Sequence, residues 1–206
     1  MEKFKKIIGI AAPFTRINVD TDLIIPAESL KTISREGLGK NLFSYIRFND
    51  DGSENKNFIL NKPHYKKTKI LVTGKNFGCG SSREHAVWAL KDFGIKCLIG
   101  SEFADIFYNN CFKNGVLPII LDTNEIEKII KIISSSETSE LEIDLENQFI
   151  KTKENEIIKF DILPYLKKNL LEGVDDISKT LEKKKLIDEY EFDIKKKYPW
   201  LGKKNG

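Results

Sequence analysis

One glycine-rich segment reads Gly74-Lys75-Asn76-Phe77-Gly78-Cys79-Gly80-Ser81-Ser82-Arg83-Glu84-His85, and it joins an apolar run to a stretch with helical spacing. The apolar run, Lys69–Val72, is typical of a buried strand, and the later apolar residues recur every three or four positions as far as Phe93. A glycine-rich turn that leads into a helix presents backbone N–H groups at the positive end of the helix dipole. Arg83 adds a planar guanidinium suited to a carboxylate or a phosphate. The sequence therefore predicts an anion-binding turn.

Strands and helices alternate on both sides of this turn. The pattern predicts strands at residues 6–12, 69–72, 97–100 and 118–121, and helices at residues 83–93, 103–114 and from about 123. Pro13 is expected to end the first strand, and Gly94 and Gly115 follow two of the helices, where a left-handed C-terminal cap is common. Asp122 or Thr123 is expected to cap the third helix. This alternation predicts right-handed crossovers and a largely parallel sheet.

The chain changes character after the third helix. Alternation of apolar and polar residues predicts antiparallel strands near residues 141–145, 149–152 and 157–160, followed by helical pieces at 165–171, 176–182 and 186–198. A polar stretch at 49–63 is expected to form a surface hairpin or flap, and residues 32–43 have weak helical character. We therefore predict an α/β fold with a mixed, partly parallel sheet. It would form a single domain over residues 1–206, with a core at about 5–185 and a helical tail at 186–206.

Composition and charge are those of an ordinary globular protein. Of the 206 residues, 40% are hydrophobic and 32% are charged, and the formal net charge is +3. No apolar run approaches the ~20 residues that span a bilayer. The N-terminal sequence does not resemble a signal peptide, so a cytoplasmic location without membrane contact is expected. Lysines cluster near the C-terminus, but acidic residues interrupt them, and nucleic-acid binding is therefore not expected.

Three common glycine motifs do not fit the turn. A P-loop requires a lysine after its last glycine, whereas Gly80 is followed by Ser81. The dinucleotide fingerprint would need a glycine at Arg83, and a nucleophile elbow would need one at Glu84. Two interpretations remain open. The turn binds an anion through Ser81, Ser82 and Arg83, or the serines only cap a helix beside a surface Arg83–Glu84 pair.

Several segments of the chain resemble one known family. Asn76–Ala86 closely resembles the active-site loop of the aconitase superfamily, and the whole chain resembles its stand-alone small subunits, those of 3-isopropylmalate dehydratase. The matches run in order from near residue 5 to about residue 185, without large gaps. Beyond the loop they comprise Asn18–Asp22, Ile24–Pro26, Phe103–Tyr108, Asn114–Pro118 and Leu171–Ile177.

The resemblance implies a swivelling β/β/α domain of three layers that docks on a large subunit carrying a 4Fe-4S cluster. Such a heterodimer, or a higher assembly, is a hydro-lyase of leucine biosynthesis that is active only with both subunits. It dehydrates 2-isopropylmalate to 2-isopropylmaleate and rehydrates this product to 3-isopropylmalate. Cys79, Cys97 and Cys111 do not match the cluster ligands of the family. No metal and no cofactor are therefore expected on this chain.

The resemblance also assigns roles within the turn. Ser81 would be the catalytic general base that removes the carbon-bound proton and returns it in the reverse reaction. Ser82 and Arg83 would bind a carboxylate of the small dicarboxylate substrate. Gly78 and Gly80 would support the site by shaping the loop.

Three residues outside these positions have weaker assignments. Asp22 matches a family position near the site, where it would support catalysis by orienting a histidine of the large subunit. Lys31 lies where related enzymes carry a substrate-selecting loop, and it would either meet a carboxylate or point to solvent. His85, in the first helical turn, is expected to be structural or to support the site indirectly rather than to act as an acid.

Two other functions are compatible with the same pattern. The chain could be the small subunit of a related hydro-lyase acting on citraconate and methylmalate or on homoaconitate. Alternatively, it could be a non-catalytic module that binds an anion or supports assembly.

Overall fold

The computed structural model describes residues 1–30, 36–135, 138–174 and 176–202, with only the backbone described at 176, 178, 179, 201 and 202. The chain divides into two compact units, Met1–Gly173 and Val174–Gly206. This division falls before the boundary at about residue 185 that the sequence analysis places between core and tail.

One mixed sheet organises the first unit. Among the described residues it has seven strands in the order β4-β3-β2-β1-β5-β6-β7. Strands β1 to β4 pair in parallel, whereas β5 to β7 pair antiparallel, and β1 joins the two halves. The predicted α/β fold with a mixed, partly parallel sheet is confirmed. The strands are β1 Lys6–Phe14, β2 Thr68–Thr73, β3 Cys97–Gly100, β4 Leu117–Ile120, β5 Glu140–Asp144, β6 Phe149–Thr152 and β7 Ile157–Lys159.

Pro13 does not end β1, so that prediction was wrong. The strand continues to Phe14, and Pro13 pairs with Val72 of β2. On its other side β1 pairs with β5 only over Lys6–Ile10, and the amide of Ala11 donates to Ser139 O, just before β5. Along a strand, every second amide points to the same side. An N–H at position 13 would therefore point to the side of β5, but β5 begins at Glu140, opposite Ile10, and does not extend as far as position 13. A proline is tolerated there because no ladder hydrogen bond is lost.

The helices of the chain follow the predicted order, with small shifts at their starts. The two helices after β2 and β3 begin at residues 85 and 105, two positions later than predicted, and Gly94 and Gly115 close them in the left-handed conformation as expected. Asp122 is the cap of the next helix, because its Oδ1 accepts from the amide of Glu125. The helices are α1 Thr21–Ile24, α2 Ser44–Arg47, α3 His85–Phe93, α4 Asp105–Asn114, α5 Thr123–Ser135, α6 Pro164–Glu172, α7 Asp176–Glu182 and α8 Lys184–Lys197.

Two hydrophobic cores cover the two faces of the sheet and create three layers. Successive residues of β2 alternate between them: Ile70 and Val72 join the core under α5 and α6, whereas Leu71 joins the core under α3 and α4. Burial on both faces explains why the parallel strands have almost continuous apolar sequences. None of the helices in the described ranges is long and apolar enough to cross a membrane.

The stretch at residues 49–63 is less exposed than the expected surface flap. Its first part does form a turn, which a bridge between Phe48 and Glu54 closes. Phe58 and Leu60 are buried in the core under α3, however, and the Phe58 ring packs edge-on against Phe14. Of the weakly helical stretch at 32–43, the described part contains only a single 3-10 turn at Gly39–Asn41.

Candidate functional site

The segment of residues 74–84, called here the site loop, is fixed on one side by the turn that precedes α1. The amide of Gly78 donates to Val19 O at 2.7 Å, and the amide of Thr21 donates to Cys79 O at 2.9 Å. Asn18 extends the contact, because its amide donates to Lys75 O at 2.9 Å. Two segments that the sequence separates by about 60 residues therefore run side by side, and their backbones are hydrogen-bonded to each other.

The other side of the site loop is fixed by the residues that precede α4. The amide of Phe77 donates to Glu102 O at 3.2 Å, and the amide of Ala104 donates to Phe77 O at 3.1 Å. The ring of Phe77 is fully buried and packs edge-on against Phe103 and Phe107. Because residues 102–104 make this bridge, they cannot adopt a helical conformation, and α4 begins only at residue 105.

Two glycines give the site loop its path. Gly78 and Gly80 have φ values of +78° and +88°. A methyl group at Gly78 would overlap the ring of Phe107, so this position requires glycine for space as well as for conformation. At Gly80 a methyl group would have its nearest neighbour, Asp20 Cβ, at 3.4 Å, so only the conformation matters there.

Ser81 and Ser82 are exposed, and neither hydroxyl has a hydrogen-bond partner within the described part of the chain. The backbone of Ser81 is fixed, since its carbonyl accepts from Thr21 Oγ1 at 3.1 Å and from the amide of Arg83 at 2.8 Å. Neither serine caps α3: the N-cap residue is Glu84, whose side chain makes no capping hydrogen bond. The interpretation of the two serines as mere helix caps is therefore wrong, and their hydroxyls are available to a ligand.

Arg83 is held in place by Asp22. Its Nη1 lies 2.5 Å from Asp22 Oδ1, which also accepts from the amide of Ala27 at 3.1 Å. The Arg83 side chain is 26% exposed and that of Asp22 is 47% exposed. The hydrogen bond from Arg83 is the main reason that the pKa of Asp22 is lowered. In this chain Asp22 holds the guanidinium of Arg83. The expectation that it also orients a histidine of the large subunit stays a prediction.

The remaining predicted site residues lie in different situations. The ring of His85 packs against that of Trp88 at an interplanar angle of 55°, with ring centroids 4.4 Å apart, and its structural role stays a prediction. Lys31 lies outside the described residues.

Sequence reasoning missed Tyr45, which lies near Asp22 and Glu28. Partial burial and the negative charge of Glu28 raise the pKa of its hydroxyl. No local pattern links Tyr45 to the site, because tertiary folding alone brings α2 there.

The cysteines of this chain do not fit an iron–sulfur cluster. Cys97 and Cys111 are fully buried in the cores, where burial raises the pKa of both thiols and opposes the thiolate form that binds metal. The third cysteine, Cys79, lies in the site loop, apart from the two buried cysteines. In the described ranges, no group of three or more His, Cys, Asp and Glu side chains could hold a metal ion.

Comparisons with a family model and with known proteins agree on one family. Residues 1–124 match the family model for the aconitase C-terminal domain. The chain is 54% identical over 201 residues to the 3-isopropylmalate dehydratase small subunit of Azorhizobium caulinodans, covering 98% of this chain and 100% of that protein. It is 56% identical over 200 residues to the small subunit of the same name from Rhodopseudomonas palustris, covering 97% of this chain and 100% of the relative.

A solved structure has the same architecture. The crystal structure of 3-isopropylmalate dehydratase from Methanocaldococcus jannaschii superposes with a TM-score of 0.64 at 35% sequence identity. The match covers 90% of this chain and 99% of that one. The similarity to the bacterial relatives thus extends well beyond the residues that the family model matches.

Proposed function

The chain belongs to the family of 3-isopropylmalate dehydratase small subunits, and we propose that it supplies half of the active site of such an enzyme. The reaction interconverts 2-isopropylmalate and 3-isopropylmalate through 2-isopropylmaleate, a step of leucine biosynthesis. One observation in the structure carries the assignment of the site. A guanidinium held by a carboxylate lies in the same loop as two exposed serine hydroxyls that have no partner in the described part of the chain.

Arg83 is suited to bind a carboxylate of the substrate. Asp22 engages only Nη1, so the other N–H donors of the guanidinium have no acceptor among the described residues. A planar fork with free donors binds a carboxylate through two parallel hydrogen bonds. The ion pair with Asp22 restricts the rotamers of Arg83 and lowers the entropy lost when the substrate binds. Ser82, the neighbouring residue, can donate a further hydrogen bond to the same carboxylate.

Ser81 is the proposed general base. As an alkoxide it takes the proton from the substrate carbon, the C–H electron pair forms the double bond, and the hydroxyl group leaves the adjacent carbon. Hydration runs through the same steps in reverse. A serine hydroxyl is a very weak acid, so its alkoxide needs strong electrostatic stabilisation. Arg83 supplies a positive charge, and the amides of Gly80, Ser81 and Ser82, which have no acceptor within the described ranges, supply free donors.

The exposure of Ser81 and Ser82 supports the need for a partner subunit. An alkoxide requires a site from which water is excluded, and one exposed loop cannot exclude it. We therefore propose that a large subunit covers the site loop and that it carries the 4Fe-4S cluster, for which the described residues of this chain offer no group of ligands. That cluster would assist the departure of the hydroxyl group. The proposal includes a cytoplasmic location.

Reconstitution with the large subunit from the same organism tests the function. We expect the pair to isomerise 2-isopropylmalate, and we expect Ser81→Ala to lower kcat by about 10²–10⁴-fold, the usual contribution of a general base. Ser82→Ala is the matched control, with a loss of about tenfold, because it removes one substrate hydrogen bond but no proton transfer. Co-purification of the two subunits shows whether assembly is intact.

Two results would contradict the proposal. Near-normal kcat in Ser81→Ala would remove Ser81 from the role of base. A wild-type pair that converts methylmalate or homoaconitate but not isopropylmalate would move the chain to a related hydro-lyase.

A further inference from the structure

Asn114, the last residue of α4, makes hydrogen bonds with every part of its side-chain amide. It is 5% exposed. Its Nδ2 donates to Glu84 Oε1 at 2.7 Å and to the Asn110 carbonyl at 2.8 Å, and its Oδ1 accepts from Trp88 Nε1 at 2.9 Å. A buried amide with this set of partners joins the end of α4 to the first turn of α3. No step of the proposed reaction uses it.

Glu84, which receives one of these bonds, directly follows Arg83. Its backbone carbonyl accepts from the amides of Val87 and Trp88 at 3.0 and 3.2 Å, so it starts the hydrogen-bond ladder of α3. The backbone of Arg83 lies between this turn and Ser81: its amide donates to Ser81 O and its carbonyl accepts from the amide of Ala86. A displacement of Glu84 would therefore displace Arg83 and change its distance from Ser81.

We propose that Asn114 is a positioning residue that acts through Glu84 on Arg83 and Ser81. This inference rests on the proposed function, because it assigns Asn114 to the same site. Arg83 then has two anchors. Asp22 holds its guanidinium, and Asn114 holds its backbone through the carboxylate of Glu84.

Asparagine suits this position for a chemical reason. One side chain must donate to a carboxylate and to a carbonyl while it accepts from an indole N–H, and a carboxamide offers both functions. Aspartate would place a negative charge against Glu84. Lysine or arginine would satisfy Glu84, but either would add a second cation that could compete with Arg83 for the substrate carboxylate.

Kinetics of the reconstituted pair test the proposal. We expect Asn114→Asp to raise KM for isopropylmalate and to lower kcat, so that kcat/KM falls about 10–100-fold, because misplacing a substrate-binding group costs binding and catalysis together. Glu84→Ala should act in the same direction, and it leaves the bonds of Asn114 to Trp88 and Asn110 in place. Trp88→Phe is the matched control: it removes the indole hydrogen bond but not the Glu84 contact. It should lower the melting temperature with kcat/KM within about threefold of the wild-type value.

A double variant that exchanges the amide and the carboxylate between positions 84 and 114 tests whether the lost activity can be restored. In Glu84→Gln/Asn114→Asp, the glutamine amide can donate to the new carboxylate and restore the bond between the two helices. We expect kcat/KM of this double variant to lie well above that of Asn114→Asp alone. The inference is overturned if Glu84→Ala and Asn114→Asp lower only the melting temperature and leave kcat and KM of the assembled pair unchanged. Glu84→Ala alone decides the question if Asn114→Asp does not fold.

A readout without turnover separates this inference from the proposed function. The Nε–H signal of Arg83 in the isolated subunit, observed by NMR, should shift in Asn114→Asp and in Glu84→Ala but not in Trp88→Phe. If the wild-type pair does not isomerise isopropylmalate while these shifts occur, the proposed function fails and the positioning role stands. If the signal is the same in all variants, the positioning role fails regardless of activity.

Discussion

The site loop and the two C-terminal helices, α7 and α8, are held in opposite ways. The site loop has no regular secondary structure, yet its backbone is hydrogen-bonded on both sides and Phe77 is fully buried. Helix α8 is regular over residues 184–197, yet none of its residues is buried. In this molecule, buried side chains and backbone hydrogen bonds hold an irregular segment, whereas a regular helix has no buried residue over 184–197. The large apolar side chains that stay mostly exposed in this part of the chain are Ile177, Leu181, Leu186, Tyr190, Phe192 and Trp200.

Gly78→Ala should break the constraint on the site loop. The new methyl group would overlap the buried ring of Phe107, and the backbone would retain a positive φ, so we expect a loss of about 3–5 kcal/mol in the free energy of unfolding. Gly80→Ala is the matched control and should cost about 1–2 kcal/mol, because it carries only the conformational penalty. Urea denaturation measures both values. Equal losses in the two variants would mean that packing against Phe107 does not fix the loop.

Arg83→Lys changes the chemistry of the loop and leaves its backbone unchanged. An ammonium group carries the charge but cannot form the two parallel hydrogen bonds of a guanidinium. We expect KM for isopropylmalate to rise and kcat/KM of the reconstituted pair to fall by about 10–100-fold. Arg16→Lys, at an exposed position, should leave both constants unchanged. Unchanged kinetics in Arg83→Lys would exclude carboxylate binding at this residue.

The fold of the first unit was largely predictable because its signals are local. Apolar runs mark β2 and β3, and Gly94 and Gly115 mark the ends of α3 and α4. The predictions went wrong where a distant contact decides the conformation. Pro13 stays within β1 because β5 pairs with β1 only as far as Ile10. Phe58 is buried because the ring of Phe14 packs against it.

The candidate site shows the same limit. Ser81, Ser82 and Arg83 are adjacent in sequence, so a short motif was enough to single them out. The contact between Asp22 and Arg83 joins residues 61 positions apart, and no pattern in either segment indicates an ion pair. The bond between Glu84 and Asn114 is equally non-local. Sequence reasoning therefore found the groups proposed to act on the substrate and, by resemblance, Asp22 beside them, but it did not find the contacts that hold Arg83 and Glu84.

The ion pair between Asp22 and Arg83 should make a small, pH-dependent contribution to stability. The pKa of Asp22 is lowered in the folded chain, mainly by the hydrogen bond from Arg83. The contribution of the pair to stability is therefore complete above the ordinary aspartate pKa of about 3.9, and it is lost as the pH falls through the lower pKa of the folded state. Asp22→Asn keeps an acceptor for Ala27 and removes the charge. At pH 6 it should cost at most about 1 kcal/mol, because the pair is partly exposed.

Unfolding of wild type and Asp22→Asn between pH 6 and pH 3 measures this dependence. The difference between the two proteins should stay constant near pH 6 and should shrink as the pH falls below about 4. A difference that stays constant over the whole range would show that the charge of Asp22 does not stabilise the fold.

Tyr190→Ala in α8 should have the smallest effect. Tyr190 is 68% exposed, and alanine has the higher helix propensity, so we expect the free energy of unfolding of the isolated subunit to change by less than about 0.5 kcal/mol. Tyr108→Ala is the matched control: this tyrosine packs edge-on against Phe112 at 5.0 Å, and its loss should cost about 2–4 kcal/mol. If Tyr190→Ala costs more than about 1 kcal/mol, its side chain is buried in solution, and the contrast between the site loop and α8 disappears.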